Sequence, residues 1–138
     1  MNLEIFNSPE VYEPSKGDLS SPVFRDGRGE IHRLEIGGTK LNMLFSKAGV
    51  LRSGDVHKNT QFGFVFSGLV RVWYWRDGQK SFVEYGPNAF IKIEPSVPHM
   101  YEYLEDTVNA EWWDGPFKAW FFRPLREIVE GKRRIDEI

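Results

Sequence analysis

His32, His57 and His99 are the three imidazoles of a chain that has no cysteine. Disulfides, thiolate nucleophiles and thiolate metal sites are therefore excluded, and any site chemistry falls to imidazole and oxygen groups. Two of the histidines stand beside turn signals, where strand ends place functional groups. The first segment runs Arg52-Ser53-Gly54-Asp55-Val56-His57-Lys58-Asn59-Thr60-Gln61, and the second runs Ile93-Glu94-Pro95-Ser96-Val97-Pro98-His99-Met100-Tyr101. Asp55 and His57 are two apart, so an extended backbone points both to one face, and Gln61 has the same parity. Two chemistries suit this set. In one, Asp55, His57 and His99 hold a divalent metal (Fe, Zn, Mn or Ni) and leave positions open, with Gln61 adding a weak fourth oxygen. In the other there is no metal. His57 then acts as general base, Asp55 orients it, and His99 or a tyrosine is its partner. Arg52 and Lys58 hold an anionic group or a developing enolate, with Gln61 and Tyr101 lining the pocket. The residues leave a metal and no metal equally open.

Each residue also has an ordinary use. His57 and His99 suit half-buried strand ends, and Asp55 after Gly54 suits a turn bonded to its own backbone. Gln61 suits a cross-barrel hydrogen bond. Arg52 and Lys58 suit solvated surface charge. His32 lies in a strand pattern away from both segments and reads as structural or exposed.

The elements that must position these groups are short strands. Alternating or apolar runs are expected at Glu30–Ile36, Leu41–Lys47, Gln61–Phe66, Leu69–Trp75, Ser81–Tyr85, Ala89–Ile93, His99–Tyr103, Asn109–Trp113 and Phe117–Phe122, with a further short strand at Leu3–Phe6. Gly, Pro and Asp-Gly signals divide them, which argues for an all-β sandwich or barrel. Arg76-Asp77-Gly78-Gln79 is the clearest hairpin. Residues 1–22 read as an N-terminal arm and 23–123 as the barrel. Residues 124–138 read as a short helix and tail, opened by Pro124, with Leu125, Ile128 and Val129 on one face and Gly131 ending it.

The two histidine segments resemble the two motifs of the cupin superfamily. The first cupin motif carries two His separated by one residue, then an acid four residues on, then a Gly; the second is a Pro-rich turn leading into a third His. His57 matches the second His, Gly68 the Gly and His99 the third His. Asp55 stands at the first His and Gln61 at the acid. The resemblance covers roughly residues 45 to 105 and implies a single-domain, RmlC-like jelly-roll β-barrel. A narrower resemblance rests on Asp26-Gly27-Arg28-Gly29-Glu30-Ile31, Arg52 and His57-Lys58. It is to the nucleotide-deoxysugar cupins, the dTDP-4-keto-6-deoxyglucose ketoisomerases and 4-keto-sugar 3,5-epimerases. It implies a sugar-derived or other small polar carbonyl substrate.

The totals are those of a soluble globular domain: 138 residues, 41% hydrophobic and 28% charged, with a formal net charge of -2. That charge gives no reason to expect nucleic acid. No apolar run reaches the length that spans a bilayer, and no secretory signal is seen, so a cytoplasmic protein without membrane contact is expected. Aromatics reach 15%. Their densest stretch, Trp112-Trp113-Asp114-Gly115-Pro116-Phe117, suits a barrel cap, a ligand stack or, preferably, a homodimer contact. Three functions follow as expectations: an isomerase or epimerase-like enzyme, a metal-dependent cupin of the Fe(II) oxygenase kind, and a non-catalytic small-molecule binder.

Overall fold

The computed structural model describes residues 4–14 and 21–138. Twelve strands and one α-helix follow in chain order: β1 (Val11–Tyr12), β2 (Val23–Asp26), β3 (Gly29–Ile36), β4 (Thr39–Ser46), β5 (Leu51–Val56), β6 (Gln61–Ser67), β7 (Val70–Arg76), β8 (Gln79–Tyr85), β9 (Phe90–Ile93), β10 (His99–Tyr103), β11 (Thr107–Trp113), β12 (Trp120–Phe122) and α1 (Arg123–Val129). They form two six-stranded sheets, one in the order β1-β12-β5-β10-β7-β8 and the other β2-β3-β4-β11-β6-β9. Every pairing is antiparallel, from the long β3–β4 hairpin to the two-residue β1–β12 contact. The all-β jelly-roll expectation is met.

The period of two decides where the core sits. On β7, Val70, Val72 and Tyr74 point between the sheets and join Tyr101 and Tyr103 of β10 and Val65, Ile91 and Ile93 of the opposite sheet. The alternate residues Trp73 and Met100 point outward and pack with Phe122, Leu125 and Ile128 beneath α1. The apolar filling closes one part of the interior. Arg52 and Asp55 of β5, Gln61 of β6, Asn42 of β4 and Glu111 of β11 are polar and line an open cleft, together with Leu44 and Trp113.

The Asp77-Gly78 turn joins β7 to β8 with both residues at positive φ (53° and 74°), as a tight hairpin of this kind requires. Pro124 lies in the first turn of α1, whose Leu125 and Ile128 are buried. The basic run after it is a solvated tail, with Arg133 near Glu127 (3.6 Å) and Arg134 on Glu137 (3.1 Å).

Four expectations change. Glu4–Asn7 is a 3-10 turn rather than part of a strand, closed by Ser8 N–H donating to Ile5 O; Leu3 lies outside the described residues, as do residues 15–20 of the arm. The arm instead contributes β1 at Val11–Tyr12. The strand expected from Phe117 begins only at Trp120, because the preceding segment is tied to the loop after β5: Asn59 Nδ2 donates to Pro116 O (2.7 Å) and Thr60 N–H to Asp114 Oδ1 (3.1 Å). Finally, β2 and β5 are strands in stretches where no strand range was expected.

Candidate metal centre

β5 pairs with β10 in an irregular register: Arg52 faces Tyr101, Ser53 faces Met100 and Asp55 faces His99, so Gly54 is an extra residue without a partner. Ser53 and Gly54 both have positive φ, 80° and 79°. Such a bulge inverts the alternation of a strand. Arg52 and Asp55 are three apart and would face opposite ways in a regular strand; here both line the cleft. α1 packs against the bulge, and Arg126 Nη1 donates to Ser53 O (2.9 Å).

The bulge brings Asp55 between the two histidines. Its Oδ1 lies 3.2 Å from His99 Nε2 and 3.5 Å from His57 Nε2, and the Ser53 hydroxyl also donates to it. The other nitrogen of each ring is fixed by a carbonyl: His57 Nδ1–H donates to Lys118 O (3.1 Å) and His99 Nδ1–H to Val97 O (3.0 Å). A carbonyl only accepts, so in each neutral ring the proton is on Nδ1 and the Nε2 lone pair points inward. Three acceptors then converge, all within 4.8 Å of one another. They repel unless a cation sits among them. His99 Nε2 is buried and makes no hydrogen bond. Carbonyl-anchored imidazoles beside a carboxylate form a donor set that fits a divalent metal.

The electrostatics agree. Burial alone pushes the Asp55 carboxyl up, but the neighbouring His57 and His99 imidazoles outweigh it and hold Asp55 well below the carboxylate range. Burial pulls His57 down, and Asp55 outweighs that, raising it. Without a metal, a proton held by His57 compensates the carboxylate. A bound metal takes that proton's place, so affinity must fall with acid.

The opposite sheet supplies a second wall. Gln61 Nε2 donates to Tyr101 Oη (3.3 Å) and to Glu111 Oε2 (3.2 Å), while its Oε1 is buried without a partner. Gln61 therefore bridges two cleft residues through its Nε2 and leaves its Oε1 uncommitted. Arg52 is buried; its Nε donates to Ser46 Oγ (2.8 Å) and its Nη2 has no partner. Burial lowers its pKa. Glu111 was not anticipated from the sequence. The available signal was parity: Asn109, Glu111 and Trp113 alternate along β11, and an acid between two inward residues must itself point inward. Burial and then the Asp55 charge push its carboxyl up to about 7, against His57, Arg52 and Asn42.

The remaining expected residues separate. Lys58 does not line the cleft; its ammonium lies over the rings of Phe6 (5.0 Å) and Trp120 (4.9 Å), because it follows the strand and turns outward. His32 pairs with Glu30 (3.0 Å) on β3. The aromatic stretch is split by its own period. Trp113 and Phe117 cover His57, each with ring centroids 5.7 Å away, and Trp112 turns outward beside Phe62 and Phe90. Asp26 and Arg28 form a paired turn (2.7 Å), with Arg28 on the cleft rim. The cleft has a volume of about 1190 Å³.

No family model and no curated protein matches the sequence. Solved structures do. The capsular polysaccharide assembling protein CapF from Staphylococcus aureus aligns with a TM-score of 0.60 at 21% identity, over 76% of this chain and 34% of that one. CapF with the inhibitor 3-isopropenyl-tropolone aligns at 0.60 and 20% identity, over 76% and 35%. A deletion mutant of Bacillus subtilis oxalate decarboxylase OxdC aligns at 0.64 and 14% identity, over 88% and 38%. The chain thus spans about a third of the length of the solved chains it matches. These likenesses show the fold, a cupin jelly roll, as the two histidine segments implied. Among the described residues, no helix is long and apolar enough to cross a membrane.

Proposed function

We propose that this chain is a metal-dependent cupin enzyme. It holds one divalent cation between Asp55, His57 and His99 and isomerises or epimerises a small polar carbonyl compound of sugar-derived class. The observation that carries this reading is the convergence of three acceptor atoms whose imidazoles are locked by Lys118 O and Val97 O. The metal, when bound, supplies Lewis-acid polarisation of a substrate oxygen. The chain supplies the rest. Arg52 keeps a buried Nη2 free for an anionic group, Tyr101 and Gln61 offer polar contacts, and Trp113 with Phe117 shield His57 from water. The carbohydrate class is supported by the likeness to a capsular polysaccharide assembling protein and by Arg28 on the cleft rim. A tropolone, the inhibitor class seen with CapF, presents vicinal carbonyl and hydroxyl oxygens, as an α-hydroxy carbonyl substrate would.

The test is elemental analysis of untagged protein reconstituted with Mn, Fe, Ni or Zn, followed by NMR of sugars incubated with it in D2O. About one metal per chain and deuterium at the carbon beside a sugar carbonyl are expected. Absence of stoichiometric metal would refute the reading. Metal without exchange would leave a binder and not an enzyme.

The outer face of the second sheet supports a homodimer. Phe62, Phe90 and Trp112 form one ring cluster with centroids 6.0 Å apart, and Phe64 and Phe66 continue it at 5.0 Å. Exposed Phe66 and Phe90 leave apolar surface of the kind that marks an interface. Light scattering should give twice the chain mass, and Trp112→Arg should shift it to the monomer. A monomeric native protein refutes the dimer.

A further inference from the structure

Once a cation sits among Asp55, His57 and His99, neither imidazole can take a proton from a substrate. Each Nδ1–H is given to a carbonyl and each Nε2 lone pair faces the cation. Arg52 has no lone pair to offer, and burial pushes Tyr101 and Tyr103 upward, so they stay protonated. Of the three acids left in the cleft lining, Glu35 and Asp114 are exposed, and Asp114 accepts from Thr60 N–H, which leaves Glu111 as the acid of the cleft's interior. Glu111 lies in the cleft on β11, and among the described residues no Lys, Arg or His comes within ion-pair distance of it. Its carboxylate is steadied by Gln61 Nε2 and by Asn42 across the β4–β11 pair. The groups that face it are Asn42 from β4, Arg52 and Asp55 from β5, His57 after it, Gln61 from β6, and Tyr101 and Tyr103 from β10. The Glu111 carboxylate therefore keeps a lone pair for the cleft, as a general base must.

We propose that Glu111 is the proton acceptor of this site, taking a proton from a cleft-bound α-hydroxy aldehyde or ketone whose oxygens face the Asp55–His57–His99 cluster. This rests on the metal-centre reading above. The C–H bond beside the carbonyl breaks, and its proton goes to Glu111. The C–H electron pair becomes the C=C bond of an enediolate as the carbonyl π pair moves onto oxygen. The proton then returns to the former carbonyl carbon, and the neighbouring hydroxyl proton passes to the former carbonyl oxygen. The product is the isomeric hydroxy carbonyl compound, with no oxidant or reductant consumed.

The experiment needs no known substrate. Glycolohydroxamic acid mimics the planar enediolate; it is protonated when free near neutral pH and chelates metals as its anion. Cobalt-reconstituted protein reports its arrival through the visible spectrum. Calorimetry in buffers of different ionisation enthalpy counts the protons released. At about pH 8, where a carboxylate is ionised, native protein should capture the proton and release almost none. Glu111→Gln should release about one more. In native protein alone, release should rise towards about one as the pH falls and Glu111 already carries its proton before the hydroxamate arrives, so the test survives a variant that fails to fold. Equal release by native and variant protein, or a release of one proton that does not vary with pH, overturns the role of Glu111 and leaves the metal centre standing. No cobalt binding, or no spectral change with the hydroxamate, overturns both.

Discussion

Asp55→Ala is expected to abolish stoichiometric metal binding and to destabilise the metal-free protein by about 2 kcal/mol. Asp55 is the anion on which His57 and His99 both converge, at 3.5 and 3.2 Å. Removing one partner of a buried ion pair costs about 3 to 5 kcal/mol when the other charge is stranded. Here His57 can shed its proton, which brings the cost below that range. The sign with pH follows from the two shifts. The depressed Asp55 contributes stability that is fully present above its ordinary value of 3.8 and lost as the pH falls towards its folded value. The raised His57 contributes stability that is fully present below 6.5 and lost as the pH rises through its folded value. Urea titrations should therefore show the largest difference between native and Asp55→Ala protein between about pH 4 and 6.5, narrowing on either side. Asp55→Asn separates structure from ligation. Its amide can donate to one Nε2 and recover part of the stability, but it supplies no carboxylate, so metal analysis should still read near zero. Full metal occupancy in either variant would remove Asp55 from the ligand set.

How much of this was legible in the sequence depended on whether the backbone stayed regular. The inward sets Val70, Val72, Tyr74 and Asn109, Glu111, Trp113 follow a strict period of two, so the strands that carry them could be read directly. His57 and His99 stood out because turns flank them, and the turn before His99 also supplies the Val97 carbonyl that orients its ring. The carbonyl that orients His57 was not legible, since Lys118 reaches it from 61 residues away in sequence. Glu111 was overlooked for a different reason: an acid within an aromatic strand resembles a solvated position until the register places it inside. Lys58 misled because sequence adjacency to His57 says nothing about direction, and consecutive residues point apart. Least legible was β5. Ser53-Gly54 breaks the alternation, and that same break lets Arg52 share a face with Asp55.

Gly54→Ala should expose that dependence with the largest stability loss of any single methyl added at the site. Gly54 adopts φ +79°, which a side chain disfavours by about 1 to 2 kcal/mol. A Cβ there would also meet Arg126 Cα at 2.8 Å and Arg126 N at 2.9 Å. These are backbone atoms of α1 and cannot rotate away, so either the bulge flattens or the helix lifts. Lifting α1 exposes Leu125 and Ile128, each worth about 2 kcal/mol when buried. It also breaks the Arg126 bond to Ser53 O. Flattening the bulge turns Arg52 or Asp55 out of the cleft. Either route should cost about 3 kcal/mol or more, lower the melting temperature by about 10 °C, and loosen the metal. Gly131→Ala is the control, because that residue has nearly the same φ, +77°, with nothing within 4 Å of the added carbon. It should show the backbone strain alone, about 1 kcal/mol, with metal occupancy unchanged. Equal losses in the two variants would mean that contact with α1 does not hold the bulge, and the helix would then have no part in setting the metal centre.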